Sequence, residues 1–236
     1  HGFSGTPNNF HDLPDQVAEA GWRVRVMLLP GHGTSPREFE KTRAAQLRQG
    51  VLDELALLRE RYKTVVLAGH SMGGALATLT ASEAGVDGLI LASPYFGITR
   101  RWFFLLPPET LIKTFSPLAR WVYTSPDSQP VNRKEIRREI LSYHWIASRS
   151  GLTAMSLAEA ANAPDVLAKI TVPVLLVHSK RDSVADPKAA SRVFGQLPST
   201  DKTAVWLETS DHIIFWDYER EQVAEAVLAF LNKIRG

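Results

Sequence analysis

A serine between glycines, Gly69-His70-Ser71-Met72-Gly73, is the first stretch whose residue types suggest chemistry. The run Thr64-Val65-Val66-Leu67-Ala68 before it is apolar and β-forming, and a helix-compatible run of Ala, Leu and Thr follows Gly74. Strand, tight turn and helix form the context that lifts a serine hydroxyl above a sheet edge as a nucleophile. Flanking glycines relieve crowding in such a turn. The following helix aims its unpaired N–H groups and positive dipole end at the place where a tetrahedral oxyanion would form. A serine is a weak nucleophile until a base takes its proton, and the base needs an acid to fix its tautomer. Both occur downstream. Residues 172–178 read as a buried strand, and its exit Ser179-Lys180-Arg181-Asp182 puts an acid past the carboxyl end, where catalytic groups of parallel sheets collect. Residues 203–207 read as another strand that leaves into Glu208-Thr209-Ser210-Asp211-His212. The expected roles are Ser71 as nucleophile, His212 as base and Asp182 as the orienting acid. Asp186, Asp211 and Asp217 compete for the third role.

Taken together these stretches resemble an α/β-hydrolase, and within that superfamily they are similar to the bacterial carboxylesterase and monoacylglycerol lipase group. His1-Gly2-Phe3-Ser4-Gly5 resembles the oxyanion turn of that group, and Pro30-Gly31-His32-Gly33-Thr34-Ser35-Pro36 its loop after the next strand. Asp182-Ser183-Val184 resembles the acid loop, and residues 210–217 the histidine loop with its trailing aspartate. The matches run from residue 1 to about 217, so the resemblance spans nearly the whole chain. It implies a serine hydrolase that cleaves carboxylic esters of short to medium acyl chains, monoacylglycerols among them, through an acyl-enzyme. It also implies backbone N–H groups of Phe3 and Met72 as the oxyanion hole, and no metal or organic cofactor. A thioesterase, carbon-carbon bond hydrolase or perhydrolase uses the same triad. A non-catalytic receptor of the same fold is a further alternative, whereas a dehalogenase or epoxide hydrolase needs an aspartate at the position of Ser71.

The elements that must position these groups follow from periodicity. Asn8 or Asn9 is expected to cap a helix reaching about Ala20, with Gly21 ending it and Pro14 disturbing its first turn. Residues 22–29 are expected to form a strand. Leu47, Val51, Leu55 and Leu58 recur at helical spacing, residues 88–92 read as a short buried strand, and Val223, Val227, Phe230, Leu231 and Ile234 mark a closing amphipathic helix. Alternating strands and helices imply a mostly parallel sheet covered on both faces. Residues 1–93 and 171–236 are expected to form that core. Residues 94–170, broken by Pro94, Pro107, Pro108, Pro117, Pro126, Pro130 and Pro164 and without a clear strand, are expected to form a helical cap over Ser71. Trp102, Phe103, Tyr143 and Ile146 are the expected substrate contacts there, and Trp102, Phe103 and Phe104 the expected lipid-facing rim. His32 is expected to be structural, and His144 a hydrogen-bonding residue of the cap. The family places two or three strands before the oxyanion turn, so the chain is expected to be a truncated or renumbered part of a longer protein.

With 236 residues, 44% hydrophobic and 22% charged, the chain suits one globular domain with an insertion. Its net charge of +2 is small, and its basic clusters lack the interleaved aromatics of a nucleic-acid binder. Cysteine is absent, which excludes disulfides and thiolate metal sites. No apolar run reaches the ~18 residues of a membrane span, and no signal peptide is visible, so a cytoplasmic location is expected. The expected partners are a small-molecule ester or lipid, with transient lipid-surface contact through the cap, in a monomer or homodimer.

Overall fold

The computed structural model describes residues 1–99, 110, 114, 118 and 120–235. Trp102, Phe103 and Phe104 lie outside the described residues.

Four parallel strands form the main sheet: β1 (Val66–His70), β2 (Gly88–Ala92), β5 (Val174–Ser179) and β6 (Lys202–Leu207), in the order β1-β2-β5-β6. Their side chains alternate between two separate cores, because successive residues of a strand point to opposite faces. Leu89 and Leu91 of β2, with Val174 and Leu176 of β5, face one core; Ile90 and Ala92, with Leu175 and Val177, face the other. Neither strand shows an exposed residue, which is why Gly88–Ala92 and residues 174–177 read as apolar runs.

The first core is closed by α3 (Ala44–Arg59), α4 (Met72–Ala84), α5 (Ser148–Ala161) and α7 (Pro187–Gln196). Of these α4 is central, with every residue from Met72 to Ala81 buried. A helix surrounded on all sides needs small residues where backbones approach, and Gly74 shows the need: a Cβ there would lie 2.8 Å from that of Pro94. The second core is closed by α8 (Arg220–Arg235), through Val223, Val227, Phe230 and Leu231, and by Ile213–Trp216 of the loop after β6. The expected faces of α3 and α8 are therefore the buried ones, with Leu58 and Ile234 only partly buried.

Three local expectations need correction. Residues 22–29 form no strand, although they are rich in β-branched and aliphatic residues. A strand requires a neighbour, and β1, the edge of the sheet, does not pair with this run; a cleft of about 490 Å³ is lined by Trp22, Val24 and Val26 on one part and by Val65, Leu67 and Leu76 on another. The expected helix from Asn8 to Ala20 is two pieces. A 3-10 turn over Pro7–Phe10 is capped by Thr6, whose hydroxyl accepts from the Asn8 N–H, then His11 at φ 49° breaks the path, and α1 (Leu13–Glu19) follows. Neither asparagine side chain caps it: Asn9 accepts from the Gly2 N–H and Asn8 from the Leu141 N–H. Third, the segment between β2 and β5 does contain strands, β3 (Trp121–Tyr123) and β4 (Trp145–Ala147), paired antiparallel. Three-residue strands carry too little alternation to be read from sequence.

That segment is tied to the rest by α5, which packs on α4 and α3, and by α2 (Pro36–Lys41) against β4. The short α6 (Pro164–Leu167) leads back to β5.

Candidate active site

The site is built from three strand exits on one end of the sheet. Ser71 follows β1 directly and is the N-cap residue just before α4. Its backbone takes φ 55° and ψ −121°, a conformation costing about 1–3 kcal/mol for a residue with a side chain. The surroundings hold it there: the Ser71 N–H donates to the Ala92 carbonyl, and the Ser71 carbonyl accepts from Gly74 and Tyr95. Gly69 is obligatory, since a Cβ would come within 2.2 Å of the Gly73 carbonyl oxygen. At Gly73 a Cβ would lie 2.8 Å from the His1 carbonyl, so the elbow is packed directly against the turn at residues 1–5.

Asp182 follows β5 and His212 follows β6. His212 Nδ1 lies 2.8 Å from Asp182 Oδ2, and His212 Nε2 lies 2.8 Å from Ser71 Oγ. The carboxylate only accepts, so Nδ1 carries the hydrogen and Nε2 is left to accept from the serine hydroxyl. All three side chains are buried. Burial alone would push the Asp182 carboxyl up, but the charge of His212 and hydrogen bonds from His178 and His212 outweigh it and hold the group well below the usual carboxylate range. Its Oδ1 accepts from the Val184 and Ala185 N–H groups, both at 2.8 Å.

The other three acids have different partners. Asp186 caps α7 by accepting from the Lys188 N–H. Asp211 accepts from the N–H and hydroxyl of Ser183, which fastens the loop after β6 to the loop after β5. Asp217 is fully buried and accepts from the N–H groups of Asn132, Arg133, Asp211 and Tyr218. Glu219 likewise gathers Glu208, Thr209 and Ser210, and although its partial burial raises its pKa, these hydrogen bonds lower it to about 2. The histidine loop is thus laced by carboxylates onto backbone donors.

Phe3 sits in a turn closed by the Gly5 N–H donating to the Gly2 carbonyl, and its ring packs 5.2 Å from that of Phe39. Met72 is the first residue of α4, where an N–H has no acceptor within the helix.

Tyr143 has structural partners that its sequence neighbourhood does not reveal. Its hydroxyl donates to the Gly31 carbonyl and accepts from the Thr34 N–H, while its own N–H donates to the Ser4 carbonyl. The ring stacks near His32 and Phe39. Ile146 lies in β4 opposite Val122. His32 is buried among His1, Phe39 and Tyr143, and desolvation lowers its pKa to about 4, so it is a packing residue. His144 does not hydrogen-bond through its ring Nδ1 among the described residues; its carbonyl accepts from Thr124 instead.

Two buried histidines went unweighted in the sequence. His70 donates from Nε2 to the His212 carbonyl and packs 5.0 Å from the His212 ring, with its pKa lowered to about 3, chiefly by burial. His178, fully buried, stands beside Asp182. A histidine inside an otherwise aliphatic strand was the available signal, because a ring so placed must find a polar partner.

Residues 1–219 match the family model described as serine aminopeptidase, S33. The chain belongs to this family. Among curated proteins, it is 30% identical to a thermostable monoacylglycerol lipase of Bacillus sp. (strain H-257), over 100% of this chain and 90% of that protein. It is 23% identical to a carboxylesterase of Bacillus subtilis (strain 168), over 99% and 91% respectively. Among solved structures, one from a study of LipS and LipT, two metagenome-derived lipolytic enzymes, superposes with a TM-score of 0.83 at 26% identity, covering 99% of this chain and 91% of that one. The family fold is the α/β-hydrolase fold, and the parallel sheet with helices on both faces is its core. No helix among the described residues is long and apolar enough to cross a membrane.

Proposed function

We propose that this carboxylic ester hydrolase works through a Ser71 acyl-enzyme and takes monoacylglycerols and other esters of short to medium acyl chains. The observation that carries the reading is the continuous path Asp182 Oδ2, His212 Nδ1, His212 Nε2, Ser71 Oγ, with both gaps at 2.8 Å. His212 Nε2 takes the hydroxyl proton as Ser71 Oγ bonds to the ester carbonyl carbon. The carbonyl oxygen becomes an oxyanion, held by the N–H groups of Phe3 and Met72. Asp182 stabilises the imidazolium. As the tetrahedral species collapses, the carbon–oxygen bond to the alcohol breaks and His212 gives its proton to the leaving oxygen. Water then enters, loses a proton to His212, and adds to the acyl carbon; the bond to Ser71 Oγ breaks as His212 returns that proton to it, and the carboxylic acid departs and loses its own proton to solvent.

Monoacylglycerol is favoured by the 30% identical relative named a thermostable monoacylglycerol lipase. Each acyl methylene buried contributes roughly 0.8 kcal/mol until the pocket ends, so kcat/KM rises from acetate to a medium chain and then falls. The test of the mechanism is Ser71→Ala together with fluorophosphonate labelling. Turnover is expected to fall by at least ~10⁴-fold and stoichiometric labelling to vanish. A variant that keeps near-normal turnover removes the acyl-enzyme.

A further inference from the structure

The carboxylate of Asp182 is held from a side that the triad does not use. Its Oδ2 receives His212 Nδ1 at 2.8 Å and faces His178 Nε2 at 3.2 Å. The same His178 nitrogen lies 3.2 Å from the Ala185 carbonyl oxygen, and the Ala185 N–H donates to Asp182 Oδ1. Both groups facing Nε2 are acceptors, so that nitrogen must carry a hydrogen. His178 Nδ1 has no partner among the described residues and is buried, so a second proton there would be an unsatisfied buried donor. The ring therefore meets both acceptors through its Nε2–H. It sits in β5, an interior strand of the sheet, with no side-chain exposure.

We infer that His178 is a positioning residue of the active site: from β5 it fixes the Asp182 carboxylate, directly at Oδ2 and through Ala185 at Oδ1, and thereby holds His212 in the tautomer and orientation that Ser71 requires. The inference rests on the proposed Ser71 mechanism. His178 touches neither substrate nor Ser71. Without it, Oδ2 keeps one side-chain donor and the Ala185 carbonyl loses the imidazole, so fewer donors hold the carboxylate in line with His212. A buried hydrogen bond to a charged group has a larger effect than a neutral one, and the loss should appear in the chemical step.

The experiment compares His178→Phe, which keeps a planar ring but no donor, with His178→Gln, whose amide supplies N–H groups at the same reach. Initial rates on a soluble p-nitrophenyl ester are normalised to sites titrated to completion with a fluorophosphonate, and melting temperatures are recorded. The expected result is a fall in kcat of about 10-fold or more for His178→Phe with KM within about 2-fold, and recovery of most of that loss in His178→Gln. Full kcat per titrated site in His178→Phe overturns the inference. So does an equal loss in both variants that tracks a lowered melting temperature, because a purely structural role would not be rescued by a donor. Ser71→Ala, assayed beside them, separates the two claims: if it turns over normally, the acyl-enzyme reading fails, and if it is inactive while His178→Phe is unimpaired, only the role of His178 fails.

Discussion

At the scale of single residues, the partners of each carboxylate distinguish groups that composition leaves equivalent. Asp182 and Asp186 stand four positions apart, and both are aspartates near a strand exit. Asp182 Oδ2 lies 2.8 Å from His212, whereas Asp186 accepts from Lys188 at the start of α7. Asparagine caps a helix about as well as aspartate, so Asp186→Asn should leave both melting temperature and turnover close to those of the parent. Asp182→Asn presents an amide that favours the wrong imidazole tautomer, and kcat should fall by ~10²-fold or more. Steady-state kinetics of the two variants side by side decide the assignment. A larger loss for Asp186→Asn would transfer the acid's role to that residue.

At the scale of elements, the site depends on how strand exits are fastened to one another. His70 ends β1 and donates to the carbonyl of His212 in the loop after β6, so a buried imidazole joins two strands that are not neighbours in the sheet. Burial lowers its pKa to about 3, whereas an unfolded histidine titrates near ~6.5. Between those values the unfolded chain binds the proton that the folded one refuses. The stability contributed by neutral His70 is therefore fully present above about pH 6.5 and is lost as pH falls toward 3. His32, lowered to about 4, adds in the same direction. Urea midpoints measured from pH 7 to pH 4 should decline for the parent and decline less steeply for His70→Gln, which keeps a donor but does not titrate. Identical slopes would place the proton uptake elsewhere. The elements themselves were unequally legible. Strands β2 and β5 could be read because both faces are buried and the chain shows it, while residues 22–29 have the composition of a strand and pair with no strand among the described residues. Composition records a propensity; pairing is decided by what stands alongside.

For the whole molecule, the sequence motifs singled out the side chains that the structure joins at 2.8 Å, Asp182 to His212 and His212 to Ser71, and Gly69 of the elbow, where the backbone allows nothing else. What escaped was long-range: the reach of Tyr143 to the loop at residues 31–34, of Asp217 to residues 132–133, and of His178 to Asp182, none of which has a local signature. The same holds for the surface. The segment between β2 and β5 carries exposed apolar side chains on its paired strands β3 and β4, with Val122 at 49%, Tyr123 at 56% and Trp145 at 53% exposure, and the Tyr123 and Trp145 rings lie 5.2 Å apart. Two half-exposed aromatic rings with polar edges suit the boundary between water and a lipid phase. If this face meets dispersed substrate, the double variant Tyr123→Ser with Trp145→Ser should turn over emulsified monoacylglycerol several-fold more slowly while hydrolysing a soluble p-nitrophenyl ester at the parental rate. Because both rings are more than half exposed, its melting temperature should stay within a few degrees of the parent's. Equal losses on the emulsified and the soluble substrate, with a lower melting temperature, would instead make the pair a packing contact between β3 and β4.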